Sequence, residues 1–129
     1  MKRLRVWLSI PVILFGLIAC GGSSDSGVSV NVAGSWSGSW VSSRGQRGGL
    51  SGSFTQNAAT FDGPVTISNS VCFRNEFATG KLNGSGIEIG VSSGAIIFNG
   101  TVSGSTISGT YAVSGTACSG DVGTFVLRR

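Results

Sequence analysis

The chain has 129 residues, 22 of them glycine, and only 11% of its residues are charged. Its net charge of +4 falls to +1 beyond residue 20, where six basic and five acidic residues remain. A nucleic-acid binder needs a basic face, and so few basic residues do not supply one. The chain has no histidine, the side chain most often used for acid–base catalysis near neutral pH.

The first 19 residues have the pattern of a secretory signal peptide. Lys2, Arg3 and Arg5 precede an uncharged, mostly apolar run over residues 6–19. This run is shorter than the ~20 residues that a membrane-spanning helix needs. A basic start, a short apolar run and a small residue at its end are typical of a cleaved signal peptide.

The apolar run ends in Leu17-Ile18-Ala19-Cys20, which resembles the bacterial lipobox. The resemblance implies cleavage before Cys20, diacylglycerol on its sulfur, and a lipid-anchored protein of the bacterial cell envelope. Gly21 in the next position implies sorting to the outer membrane. The alternatives are an ordinary signal peptide with a chance cysteine, or an uncleaved anchor. Residues 20–31 are rich in Gly and Ser and predict a lipidated, flexible tether, followed by one domain over residues 32–129.

Eight segments of that domain alternate apolar and polar side chains, as half-buried strands do. In chain order the predicted strands cover residues 34–41, 49–56, 64–73, 76–82, 86–91, 95–102, 106–113 and 123–129. Val71 and Phe77 are expected on the inward faces of the third and fourth. Links as short as residues 92–94 require antiparallel neighbours. We predict an all-β fold, a small antiparallel up-and-down barrel of about eight strands, with a two-sheet β-sandwich as the alternative.

Three predicted strands carry a similar short stretch, LSGSF, FNGTV and ISGTY, with a glycine close to a large apolar residue. Glycine weakens a strand interior. One interpretation is that it lets the strand coil sharply and leaves room for an aromatic ring of a neighbour. The other is a general drift of the sequence toward Gly and Ser.

Cys72 and Cys118 remain as a pair if Cys20 is lipidated. A compartment beyond the inner membrane is oxidising, so a disulfide between them is expected. Two free thiols or a metal-binding pair are the alternatives, and a zinc site lacks a histidine and a third ligand.

The opening stretch GSWSGSW is similar to the Gly-x-Trp that begins the first strand of calycin barrels, the group that includes lipocalins and avidins. The motif maps onto Gly34 and Trp36, or onto Gly38 and Trp40. In lipocalins a later arginine packs on that tryptophan, and Arg128 is the candidate here. The resemblance implies an architecture and carries no function with it.

No residue pattern predicts catalysis, a metal site or a cofactor. There is no Gly-x-Ser-x-Gly elbow and no cluster of carboxylates for calcium. Asp62 and Asp121 adjoin glycines and are interpreted as turn residues, and Glu88 as a solvated residue on the polar face of a strand. We therefore expect a protein that is not an enzyme.

Two features are candidates for recognition. Arg44 and Arg47 lie in the first predicted loop, and Arg74 follows Cys72 and Phe73. Arginine is enriched at binding hot spots, although charge for solubility is the simpler interpretation of these residues. The aromatic residues are candidates for lining a ligand cavity, although a packed core is the simpler interpretation: Trp36, Trp40, Phe54, Phe98, Tyr111 and Phe125.

The function expected from the sequence is a non-enzymatic interaction module, anchored in the membrane by lipid, that meets an envelope protein through its loops. One version is an inhibitor of hydrolases, because NGSGIEI (residues 83–89) is similar to the Gly-Ser-Gly stretch of lysozyme inhibitors, although their basic and aromatic continuation is absent. The alternatives are a barrel that binds a small apolar ligand and a purely structural envelope lipoprotein.

Overall fold

The computed structural model describes residues 30–115 and 118–129. Within these ranges it contains eight strands: β1 (Gly34–Ser42), β2 (Arg47–Asn57), β3 (Thr60–Ile67), β4 (Asn75–Asn83), β5 (Gly86–Val91), β6 (Ile96–Ser103), β7 (Thr106–Val113) and β8 (Val122–Arg128). No helix in this part of the chain is long and apolar enough to cross a membrane. The predicted signal peptide, Cys20 and residues 20–29 of the predicted tether lie outside the described residues.

These strands close into one antiparallel barrel. Each strand pairs with the next along the chain, and β8 pairs with β1. In that closing pair Trp40 lies opposite Phe125, and Gly38 lies opposite Leu127. Pairing of sequential strands around a full circle is the up-and-down topology. The predicted all-β barrel is confirmed, and the sandwich alternative is not the fold.

The barrel interior is packed with the inward-facing residues of every strand. β3 shows the alternation most clearly, because Phe61, Val65 and Ile67 are buried while Asp62 and Thr66 are exposed. The buried apolar residues form one continuous cluster, to which all eight strands of the described chain contribute. Burial of this apolar surface is the main stabilising contribution to such a fold.

The third strand lies earlier in the chain than its alternation predicted. β3 covers Thr60–Ile67, whereas the prediction was residues 64–73. Phe61, which lies between two predicted strands, is part of β3 and packs against Phe54 with ring centroids 5.0 Å apart. Residues 68–74 form a loop instead of a strand end, and Val71 is 87% exposed. Phe73 is buried nonetheless, so the apolar pattern here reflects a loop that covers the barrel mouth.

The expected inward position of Phe77 is also wrong. Phe77 pairs with Pro64 on the outer surface and is 57% exposed. The inward face of β4 is formed by Ala78 and Leu82. Since side chains alternate with a period of two, pairing β4 with β3 in this register turns Phe77 outward.

Several strand glycines leave space that a neighbouring aromatic ring fills. A Cβ atom on Gly80 would lie 2.1 Å from the ring of Phe61, and one on Gly52 would lie 2.9 Å from the ring of Phe54. Gly109 lies against backbone instead, because a Cβ atom added there would be 2.0 Å from the carbonyl oxygen of Asn99. Of the three recurrent glycines, Gly52 borders an aromatic ring, whereas Gly100 and Gly109 face the backbone of the adjacent strand. Close backbone approach, more than room for a ring, is therefore what the last two positions share.

The two ends of the barrel differ in their connections. At one end, here the Trp36 end, the strands are joined by the short turns at residues 58–59, 84–85 and 104–105, and residues 30–33 enter β1. At the other, here the loop end, the connections are residues 43–46, 68–74, 92–95 and 114–121. The longer connections that could carry a recognition surface are therefore all on one side.

Candidate functional site

The loop end contains a small cavity that opens toward solvent. It has a volume of about 40 Å³. Its wall is mainly aromatic and aliphatic, with a few polar groups, and is formed by Trp40, Gln46, Leu50, Ile67, Ser70, Val71, Phe73, Ile96, Phe98, Tyr111, Val113, Cys118 and Asp121. This volume accommodates a few water molecules or one small chemical group, because a single water needs about 10–15 Å³ by this measure.

Asp121 links two strands at the cavity wall. The hydroxyl of Ser42, at the end of β1, donates to Asp121 Oδ1 at 2.5 Å. The hydroxyl of Tyr111 on β7 donates to Oδ2 at 3.1 Å. The backbone N–H of Arg44 in turn donates to Ser42 Oγ at 3.0 Å. The carboxylate therefore fixes the start of the first loop against the last hairpin.

This role of Asp121 was missed in the sequence, where it was interpreted as a turn residue. A signal was present, however. Counting back in steps of two from the inward residue Phe125 reaches Gly123 and then Asp121. The same count from Trp36 through Trp40 reaches Ser42, which is buried in the structure. The period-two alternation of β1 and β8 therefore continues to the polar residues Ser42 and Asp121 and predicts that both side chains point inward.

Tyr111 is expected to ionise only at strongly alkaline pH. Burial, the hydrogen bond to Asp121 and the negative charge of Asp121 raise its pKa to about 12, against a usual value of about 10. The protonated phenol is favoured in the folded state, so this contribution to stability is complete below pH ~10 and is lost as pH rises toward ~12.

Near-ultraviolet absorbance of tyrosinate measures this pKa directly, because Tyr111 is the single tyrosine of the chain. We expect a midpoint near 12 in the folded protein and near 10 in denaturant. Asp121→Asn should lower the folded midpoint. A folded wild-type protein that titrates near 10 would contradict the assigned hydrogen bond.

The Cys72–Cys118 disulfide crosses the loop end. It joins the loop 68–74 to the loop 114–121, with a Cα–Cα distance of 6.3 Å, within the usual range for disulfides. The predicted pairing is confirmed. The bond connects segments 46 residues apart in sequence and so holds the two longest connections of the loop end together.

The aromatic residues predicted to line a cavity are all buried in the barrel, but they are divided among different places. Trp40, Phe98 and Tyr111 contribute to the loop-end cavity. Phe54, Phe98 and Phe125 border a second space of only about 10 Å³ deeper in the barrel. Phe98 joins the two groups, with its ring centroid 5.7 Å from that of Tyr111 and 5.0 Å from that of Phe125.

Trp36 borders neither of these spaces and closes the opposite end. Its Nε1 donates to the carbonyl oxygen of Val32 at 2.9 Å. The Arg129 guanidinium lies 4.4 Å from the centre of the Trp36 ring and donates to the carbonyl oxygens of Ala33 and Asn31 at 3.0 and 2.6 Å.

The arginine that packs on this tryptophan is therefore Arg129. Arg128, the expected residue, is exposed. Of the two Gly-x-Trp pairs, the first, Gly34 and Trp36, contains the tryptophan that Arg129 contacts.

The three arginines predicted to contact a partner all lie at the loop end. Arg44 is in the loop 43–46, Arg47 is the first residue of β2, and Arg74 ends the loop 68–74. All three are exposed. Within residues 30–115 and 118–129 the structure contains an ion pair between Lys81 and Glu88 and none that involves these three arginines. Their guanidinium groups are therefore not held by a carboxylate of the described chain.

In the same ranges no group of His, Cys, Asp and Glu side chains could hold a metal ion.

No family model and no curated protein matches the chain. Solved structures with a similar fold include two redesigned β-barrels. A redesigned β-barrel has a TM-score of 0.54 and 20% identity, over 75% of this chain and 90% of that chain. EF1p2_mFAP2b bound to DFHBI has a TM-score of 0.51 and 20% identity, over 75% and 92%. The redesigned barrel mFAP0 bound to DFHBI has a TM-score of 0.50 and 22% identity, over 75% and 97%. At these identities the similarity establishes the barrel fold.

Proposed function

We propose that this protein is a lipid-anchored interaction module of the bacterial cell envelope that contacts a partner protein through its loop end. The observation that carries the proposal is the gathering of the four longer loops of the described chain at one end, where a disulfide ties two of them together. Loops held on a rigid scaffold are where binding residues are concentrated. This end also presents Arg44, Arg47, Arg74 and the exposed Val71.

The packed interior supports an external binding surface. The two spaces inside the barrel measure about 40 and 10 Å³, whereas pockets for drug-sized ligands measure about 300–1,000 Å³. A partner that contacts the loops requires no interior space. The two loops joined by the disulfide are already constrained, so their backbone has less conformational entropy to lose on binding.

The position of the chain entry suits a membrane anchor. Val30 is held at the Trp36 end, where its carbonyl oxygen accepts a hydrogen bond from Gln56 Nε2 at 3.0 Å. A lipid on Cys20 would be separated from Val30 by nine residues, a reach of about 15–18 Å for a Gly/Ser-rich chain. The tether would thus meet the barrel at the end opposite the loops and leave the loop end facing away from the lipid surface.

Site-specific photo-crosslinking in envelope preparations tests the proposal. A photo-reactive residue is placed at Val71 in the loop end and, as the matched control, at Ser103, which is exposed at the Trp36 end. We expect a discrete protein adduct from position 71, absent from position 103. The adduct should weaken when Arg44, Arg47 and Arg74 are all replaced by Ala. Equal adducts from both positions, or none from position 71, would contradict the proposal.

A carrier of a small apolar ligand is the second candidate. The aromatic wall of the loop-end cavity favours it, and two structurally similar proteins have been solved bound to DFHBI. The Trp36–Arg129 contact also agrees with the lipocalin-like architecture that the first strand suggested. The volume of about 40 Å³ restricts such a ligand to a group far smaller than the usual cargo of an open barrel.

A further inference from the structure

The wall of the loop-end cavity includes the carboxylate of Asp121, which forms no ion pair with a Lys or Arg of the described chain. Both oxygens of Asp121 accept hydrogen bonds from neutral hydroxyl groups, those of Ser42 and Tyr111. Within residues 30–115 and 118–129, no Lys or Arg nitrogen lies within ion-pairing distance of this carboxylate. The guanidinium of Arg44 lies close to Gly120, because a Cβ atom on Gly120 would be 3.8 Å from Arg44 Nη2. It does not form an ion pair with the carboxylate of Asp121, the next residue.

Aromatic rings face the same cavity. The rings of Trp40 and Tyr111 are nearly perpendicular, with centroids 6.4 Å apart, and Phe98 lies 5.7 Å from Tyr111. Trp40 is held by its Nε1, which donates to the carbonyl oxygen of Ser68 at 3.1 Å, and Tyr111 is held by Asp121. The negative face of an aromatic ring attracts a cation, and rings already fixed by hydrogen bonds do not have to be ordered by the ligand.

We propose that the loop-end cavity binds an organic ammonium group, with the Asp121 carboxylate as its counter-charge and the rings of Trp40, Tyr111 and Phe98 as its walls. A volume of about 40 Å³ fits the head group of an amine and not a whole drug-sized molecule. The alkyl chain of such a ligand extends toward the mouth, where Val71 and Phe73 provide apolar contact.

This inference goes beyond the proposed function, because it assigns a ligand chemistry to the cavity whether or not the loops contact a protein. An ammonium group has two sources: a free alkylamine, and the side chain of a lysine on a partner protein. Both place a cationic nitrogen at the end of an apolar stem, so the cavity chemistry is the same for both.

Chemical-shift titration of the disulfide-bonded protein tests the proposal without any variant. The probes are n-butylammonium and a lysine with blocked amino and carboxyl termini, each compared with n-butanol and butyrate at constant ionic strength. We expect both cations to shift the signals of Trp40, Tyr111 and Asp121 with at least about tenfold higher affinity than butanol. The tighter of the two cations identifies the source, a free amine or a lysine side chain. Equal affinity for butanol and butylammonium would overturn the proposal.

Two charge-removing variants locate the site. Asp121→Asn is expected to weaken butylammonium binding by about tenfold or more, with butanol binding unchanged. Asp62→Asn is the matched control, since it removes a carboxylate that is exposed on the outer face of β3, and should bind butylammonium as the wild type does. Unchanged binding by a folded Asp121→Asn protein would overturn the assignment. Crosslinking at position 71 is a separate readout, so failure of this site and failure of the proposed function can be distinguished.

Discussion

Replacing both Cys72 and Cys118 with Ser is expected to lower the free energy of unfolding by about 4 kcal/mol. The disulfide closes a segment of 46 residues. In the chain-entropy model, a closed loop of this length lowers the conformational entropy of the unfolded chain, which raises its free energy by about 4 kcal/mol. Domains of this size are stable by only about 5–15 kcal/mol. The melting temperature should fall by about 16–32 °C, at about 4–8 °C per kcal/mol.

Denaturant and thermal unfolding of the wild type and the double Ser variant measure this loss. Val71→Ser is the matched control, because it changes an exposed residue next to Cys72, and surface changes usually shift stability by less than about 0.5 kcal/mol. We also expect faster amide exchange in the loops 68–74 and 114–121, since the bond joins these segments. A loss below about 1 kcal/mol would mean that other contacts already constrain the loop end to the same degree.

The second large effect is expected at the seam where the barrel closes. Gly38 on β1 lies opposite Leu127 on β8. A Cβ atom at position 38 would lie 1.8 Å from the carbonyl oxygen of Val126 and 3.0 Å from the Cα of Leu127. Both are backbone atoms, so no side-chain rotation relieves the overlap and the two strands must separate. We expect Gly38→Ala to lower the free energy of unfolding by about 3 kcal/mol, the upper part of the range for overpacking.

Gly90→Ala is the control for this experiment. A Cβ atom there would have its nearest neighbours at 3.7 Å, which is ordinary contact. It should change stability by less than about 1 kcal/mol, or increase it slightly, because Ala restricts the unfolded chain more than Gly does. Denaturant unfolding compares the two variants, and hydrogen exchange reports whether the β1 and β8 amides lose protection first. Equal stability of the Ala variants at positions 38 and 90 would show that the seam is not under steric constraint.

The candidate site could be predicted only in part. The sequence pointed to Arg44, Arg47 and Arg74 as candidates because they lie between predicted strands, and the structure places all three at the loop end. It did not associate Asp121 with Ser42, which is 79 positions away. That contact depends on β8 closing against β1, and no local pattern carries this information.

Local alternation determined the all-β class and the inward faces of most strands, because each apolar face must be buried against its neighbours. The short links between strands determined their antiparallel order. The Cys72–Cys118 disulfide, which the structure contains, was expected on the hypothesis that Cys20 is lipidated and that the protein lies in an oxidising compartment. Only the tertiary structure decided that β3 includes Phe61, that Phe77 turns outward and that Arg129 rather than Arg128 stacks on Trp36. These outcomes depend on strand register and on the meeting of the two chain ends, which are set by long-range packing across the closed barrel.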